Sequence, residues 1–185
     1  MMDGTVQDYQ ADRISHSDGR GTDLFHGVYA RNIHRVYRLC YLKLGQREDA
    51  EDAAQNVFLR WMKTGRSFAS EEHEKAYFLR AAINECLNQQ TSYRRRMQCD
   101  MEALSDAALS VSEEEAFADS TDLDGAQALL QKLPVLYREV LYLYYCEELP
   151  TKAIANMLSR RESTVRTQLQ VGRERLRKIL EVESK

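Results

Sequence analysis

No stretch of this 185-residue chain approaches the roughly 20 consecutive apolar positions that a membrane-spanning helix needs. The opening MMDGTVQDYQADRISHSDGRG has neither a basic n-region nor an apolar core, so it is no secretory signal. A cytoplasmic protein without membrane insertion is expected. Cysteine is sparse: Cys40, Cys86, Cys99 and Cys146 are far apart and mostly embedded in helical apolar patterns. They suit reduced thiols and lack metal-ligand spacing. His16, His26, His34 and His73 form no HxxxH or HExxH pair, so no metal site is expected. Also missing are a Gly-rich phosphate loop, a nucleophile elbow and any carboxylate and histidine constellation with a defensible geometry. The expectation is binding without catalysis, with no catalytic residues and no cofactor.

What is present is ordinary in total and uneven in arrangement. Hydrophobic residues make up 43% and charged residues 30%, as in a soluble globular protein of one domain or two small ones. The net charge of −3 hides a segregation. Between Met97 and Gly125 stand nine acids and no base, and without those nine the rest of the chain would carry +6. That segment is rich in Ser and Ala and only weakly periodic, so 97–125 reads as a flexible or partly helical acidic linker between two lobes.

Residues 1–22 are polar and aperiodic and read as a disordered leader. An amphipathic helix is expected from about Thr22 to Leu44, ended by Gly45. The next begins near Arg47, with Ala50, Ala53, Ala54, Val57, Phe58, Trp61 and Met62 as its buried stripe. Acids in its first turns suit the helix dipole. Asp52 and Gln55, three apart, share an exposed edge that either serves that dipole or grips a partner's basic helix. A loop from Thr64 to Glu74 leads to a third helix, in which Phe78, Leu79, Ala82, Ile83, Cys86 and Leu87 face inward. Tyr77, Arg80, Asn84 and Asn88 lie on or near its other side, running toward Arg94, Arg95 and Arg96. An aromatic, an arginine and amides beside three arginines suit unstacked bases next to a phosphate backbone, with core packing and solvation as the plain alternative.

Leu149 to Leu180 reads as a helix-turn-helix. Thr151 is expected to cap a short helix carrying Ala153, Ile154, Met157 and Leu158, and Ser163 or Glu162 to cap a longer one after Ser159-Arg160-Arg161. Val165, Leu169, Gly172, Leu176 and Ile179 step by four, three, four and three, which keeps one apolar stripe facing the first helix. Ser163, Arg166, Thr167, Gln170 and Arg177 point the other way, flanked by Thr164, Gln168 and Arg173. Eight bases against two acids give Thr151 to Leu180 a charge of +6, a phosphate-seeking surface or else a solvated face. The preceding Ala126 to Tyr145, with Pro134 opening its second part, reads as the core on which this motif rests.

The order DAEDAAQNVFLRW, AYFLRAAINECLN, an arginine cluster, a linker, LLQKLPVLYREVLYLYYCEEL and the helix-turn-helix closely resembles bacterial RNA polymerase sigma factors of the extracytoplasmic-function (ECF) group, sigma-70 family. The resemblance covers about Leu24 to Arg96 and Ala126 to Leu180. It implies an all-α fold of two small helical domains joined by a flexible acidic linker: region 2 over 23–96 and region 4 over 126–185. Its implied partners are core RNA polymerase, promoter DNA and, as a candidate, an anti-sigma factor. It assigns Asp49, Asp52 and Gln55 to docking on core polymerase. It assigns Phe68, Tyr77, Arg80, Asn84, Asn88, Arg94, Arg95 and Arg96 to the minus-10 element. Arg161, Ser163, Thr164, Arg166, Thr167, Gln168, Gln170 and Arg173 fall to the minus-35 element.

The chain departs from the usual pattern at several places. Ala153 stands where Glu is common, Ser163 for Gly, Gln168 for Arg, Val171-Gly172 for Arg-Ala, Tyr77 for Trp and Asn56 for Glu. Gln168 and Val171 remove two basic side chains from the reading helix, so the upstream preference is expected to differ from that of typical members. A stand-alone helix-turn-helix regulator binding duplex DNA as a dimer is the alternative.

Overall fold

The computed structural model describes the backbone over 19–101 and 125–183 and side chains over 25–93 and 125–182. Among the described residues there are seven helices and no strand: α1 (Gly19–Leu44), α2 (Arg47–Thr64), α3 (Glu71–Met101), α4 (Gly125–Gln131), α5 (Val135–Tyr145), α6 (Thr151–Leu158) and α7 (Glu162–Glu183). None is long and apolar enough to cross a membrane. Residues 19–22 and 97–101, expected as leader and linker, are helical; 1–18 and 102–124 lie outside the described residues. The two parts expected in 126–145 are two helices, the second starting directly after Pro134, whose ring cannot continue a helix.

Helices α1, α2 and α3 pack around an aromatic centre. The Phe25 ring stacks on Trp61 at 5.5 Å, while Phe78 lies 5.0 Å from Phe58 and edge-on to Trp61 at 5.4 Å. Gly45 (φ +78°) and Gly65 (φ +59°) end α1 and α2 in the left-handed conformation that glycine adopts without strain. In α2 the stripe Ala50, Ala53, Ala54, Val57, Phe58 and Trp61 is buried as expected. Met62 is not part of it: the side chain is 50% exposed, on the outer edge beyond Leu59. Leu87 is likewise half exposed rather than inward-facing.

The second unit wraps α4, α6 and α7 around α5, with Leu133, Val140, Leu141, Leu143, Ile154, Val165 and Leu169 in its centre. The two units do not stand apart. Helix α1 packs on α4 and α5, and the buried apolar side chains of both units form one continuous core. Leu39, Cys40, Tyr41, Leu42 and Lys43 are buried in succession, as are Arg138 through Leu143. At about 100° per residue such runs go round the whole helix, so α1 and α5 are enclosed on every side where they meet.

Candidate nucleic-acid interface

Three exposed surfaces carry the residues singled out in the sequence. On α2 the small buried alanines draw one side of the helix close to α1, which turns Asp49, Asp52 and Gln55 to solvent. Leu59 and Met62 extend that edge by steps of four and three and are 45% and 50% exposed. Charge, amide and apolar groups thus form one line along α2. The sequence pattern places Met62 in the buried stripe and leaves Leu59 unassigned, so neither is read there as part of this edge.

The second surface is built on the α2–α3 loop and α3. Trp61 Nε1 donates to the Arg66 carbonyl at 2.8 Å, pinning the loop to the aromatic centre. Phe68 is half-buried, its ring 5.2 Å from Tyr77 and 5.7 Å from Phe78. Tyr77 is half-buried too, with the Arg66 guanidinium 5.1 Å over its ring. The Arg66 cover leaves a cation and an aromatic ring together at the loop mouth, an arrangement missed in the sequence. Arg80, Asn84 and Asn88 follow along α3 by steps of three, four and four, all exposed. Arg94, Arg95 and Arg96 continue the helix backbone; their side chains are outside the described residues.

The start of α3 is fixed by local chemistry. The Ser70 hydroxyl accepts from the His73 amide at 3.3 Å. The hydrogen bond with Ser70, helped by Glu72's own amide, lowers the pKa of the exposed Glu72 carboxyl. Glu74 is buried and receives Arg31 through Nε at 3.0 Å and a terminal nitrogen at 2.8 Å, plus Asn32 Nδ2 at 2.6 Å. Burial alone would raise its pKa, but the bonds from Arg31 and Asn32 outweigh it and the net shift is downward.

The third surface is the helix-turn-helix. Ser159 makes the turn in the left-handed conformation (φ +53°), and its amide binds the Ala155 carbonyl. Thr151 is the first residue of α6 and not its cap. Its hydroxyl donates instead to Glu162 Oε1 at 2.7 Å, across to the start of α7, because Pro150 already occupies the cap position. Arg161, Ser163, Thr164, Arg166, Thr167, Gln170 and Arg173 are exposed along α7 and its approach. Arg166 bonds the same Glu162 oxygen at 2.7 Å, and these two contacts, Thr151's foremost, lower the Glu162 pKa.

Gln168 is the exception among the expected reading residues. It is buried, and its Oε1 accepts from Arg160 at 3.1 Å. On a flank of α7, it faces the packed turn and is not on the open face. Arg160 also holds Glu139 in α5, and Arg175 lies 5.0 Å over the Tyr137 ring. Two of the eight bases therefore brace the motif. Gly172 brings α7 against α5: a Cβ there would meet Leu141 Cδ1 at 3.1 Å and Tyr137 Cβ at 3.3 Å.

Among the described residues no group of His, Cys, Asp and Glu could hold a metal ion. Cys40 and Cys86 are buried side by side, and their mutual hydrogen bond and burial push the Cys40 thiol far up. Cys146 is exposed.

The family model for Sigma-70 region 2 matches residues 28–96, and that for Sigma-70 region 4 matches 123–176. ECF RNA polymerase sigma factor SigW of Bacillus subtilis (strain 168) is 30% identical over 155 residues, covering 79% of this chain and 83% of that protein. ECF RNA polymerase sigma factor SigE of Mycolicibacterium smegmatis is 32% identical over 155 residues, 81% of this chain and 59% of its own length. Among solved structures, the sigma factor RpoE from Bartonella quintana, crystallised with the anti-sigma factor NepR, has a similar fold. It aligns with a TM-score of 0.64 and 18% identity over 86% of this chain and 98% of that one.

Proposed function

The chain belongs to the ECF group of sigma-70 RNA polymerase sigma factors, and from that premise we propose how its residues divide the work of initiation. It is an alternative sigma factor that directs promoter-specific transcription as a DNA-binding subunit of RNA polymerase. It acts in the cytoplasm without catalysing a reaction of its own.

The observation that carries the residue-level reading is the pair of separate exposed polar faces, one on α3 and one on α7, each backed by its own helical unit. Asp49, Asp52 and Gln55 dock α2 on core polymerase. Leu59 and Met62, continuing that edge, give the contact an apolar end. Tyr77 stacks a base extruded from the minus-10 nontemplate strand, Arg66 and Arg80 attend its phosphates, and Asn84 and Asn88 read edges with their amides. Extrusion costs a few kcal/mol of stacking, and each base stacked on an aromatic returns about 1–3 kcal/mol. Phe68 holds the loop on which this pocket depends, and Arg94, Arg95 and Arg96 follow the backbone beyond it.

Helix α7 enters the major groove at the minus-35 element. Ser163, Thr164, Thr167 and Gln170 face base edges; Arg161, Arg166 and Arg173 take phosphates or guanine edges. Gln168 is reassigned from reading to bracing, on the strength of its burial against Arg160. With Gln168 inside and Val171 apolar, base reading is left to Ser163, Thr164, Thr167 and Gln170 and to the guanine contacts of Arg161, Arg166 and Arg173. An anti-sigma factor is a further partner of the same chain.

Run-off transcription with core bacterial RNA polymerase tests the reading. Start-specific transcripts that appear with this protein and vanish with Asp52→Ala/Gln55→Ala are expected. Tight duplex binding by the protein alone, with no new transcripts, would favour a stand-alone regulator.

A further inference from the structure

Thr151 to Leu180 carries eight bases and two acids, and one of those acids stands at the end of α7 that a duplex would meet first. Glu162 is the first residue of α7, and the N-terminal residues of a recognition helix are the ones that contact base edges in the major groove. Its side chain is 36% exposed. A carboxylate there is repelled by the phosphates, so it weakens the general attraction to DNA unless a donor on a base meets it.

The carboxylate is also held in one place. The Thr151 hydroxyl, from the first residue of α6, donates to its Oε1 at 2.7 Å, and a terminal nitrogen of Arg166, one turn along α7, donates to the same oxygen at 2.7 Å. Both bonds fall on Oε1. Among the described residues Oε2 is left without a protein donor. The two bonds lower the pKa of the group, Thr151's foremost, so near neutral pH it is ionised and acts only as an acceptor. Serving the helix dipole requires no such fixing, because an unrestrained carboxylate in the first turn does that as well.

We propose that Glu162 reads a cytosine of the minus-35 element, its second oxygen accepting a hydrogen bond from the cytosine N4 amino group. The inference rests on the sigma-factor reading and adds an acid to the hydroxyl, amide and guanidinium groups already placed on α7. The major groove offers two amino donors, cytosine N4 and adenine N6. Beside adenine N6 lies N7, an acceptor that repels a carboxylate, whereas the neighbour of cytosine N4 on its own ring is a C–H. Guanine O6 and N7 and thymine O4 are acceptors, and an anionic acceptor rejects them. Cytosine is therefore selected. Thr151 is a positioning residue, since its hydroxyl fixes the oxygen that does not face the base. Arg166, with one N–H turned to Glu162, keeps its other donors for a phosphate or a guanine edge.

The test uses holoenzyme reconstituted from core polymerase and the full chain. Its templates are a tagged pool in which the minus-35 element of a promoter recovered by run-off transcription is randomised, and transcripts are counted for each template. The parent is expected to favour cytosine at one position by about tenfold, within the range that one mismatched base pair produces. Glu162→Ala should flatten that position alone. Glu162→Gln should move its preference toward adenine, which a glutamine amide contacts at N6 and N7. Thr151→Val should keep cytosine in first place with a smaller margin. Base preferences in Glu162→Ala equal to the parent's at every position would overturn the proposal and leave Glu162 as a dipole acid. Equal weakening at every position would overturn it too, in favour of a purely structural role. Absence of transcripts from the parent chain would instead defeat the sigma-factor reading, and selection of the same pool as bare duplex by the full chain and by Glu162→Ala would then decide the cytosine contact.

Discussion

Leu141 occupies the space that any side chain at position 172 would need: its Cδ1 lies 3.1 Å from where a Cβ of Gly172 would sit. Leu141 is itself almost wholly buried, so it would have to give by a few tenths of an ångström inside a packed core. Alanine there gains up to about 1 kcal/mol of helix propensity. Overpacking a tight core costs about 1–3 kcal/mol, and here it wins. Gly172→Ala is expected to lower the stability of the α5–α7 unit by about 1 kcal/mol, seen as a lower denaturant midpoint. An unchanged or raised midpoint would show that α7 shifts at no cost.

Gln168 and Arg173 are separated by the same logic of placement. Gln168→Ala removes the acceptor of a charged donor, worth about 1.5–3 kcal/mol at most, and is expected to destabilise the turn while leaving minus-35 base preference as it was. Arg173→Ala is expected to leave stability unchanged and to flatten the salt dependence of promoter binding by about 0.9 log unit per decade for one phosphate. A changed base preference with Gln168→Ala would return that residue to the reading face.

At the loop mouth, Tyr77→Phe keeps the ring, and Tyr77→Ala removes it. The first is expected to leave promoter opening near normal. The second should reduce it by about 10- to 100-fold, the equivalent of one lost base stack, measured as permanganate reactivity of minus-10 thymines in the polymerase complex. Equal activity of Tyr77→Ala and the parent would exclude stacking on this ring.

Glu74 predicts an acid-sensitive step. Its folded pKa lies below the ordinary 4.5, because the bonds from Arg31 and Asn32 outweigh burial. A depressed carboxylate stabilises the fold above the unfolded pKa and loses that contribution as pH falls through the folded one. The α1–α3 bracket should therefore weaken from the ordinary carboxylate range near pH 4.3 downward. Glu74→Gln should be less stable at neutral pH and show a shallower acid limb in denaturant midpoints taken across that range. A limb as steep as the parent's would assign acid sensitivity elsewhere.

The helices and their inward stripes were legible because each unit buries one face, and a 3.6-residue period records one face well. Ala50 to Trp61 and Val165 to Leu169 are cases in point. Residues that answer to two neighbours escaped that reading. The run Leu39 to Lys43 is buried all round because a second unit covers the side that a single amphipathic helix would expose. Met62 and Leu87 erred the other way, apolar residues left in the open. Gln168 could not be placed from helical angle, which cannot distinguish a flank lying under a turn from one in solvent. One sign of the packing was available: Arg138-Glu139 interrupts the apolar run VLYREVLYLYY, and charges so placed need partners when the helix is buried on every side.

Glu139 has two oxygens with two different clients, Lys43 in the first unit and Arg160 in the turn of the second. The carboxylate thereby makes the spacing of the units and the set of the recognition turn thermodynamically linked quantities. Whatever alters how Arg160 is held changes the hold on Lys43, and loosening Lys43 changes the turn by the same free energy.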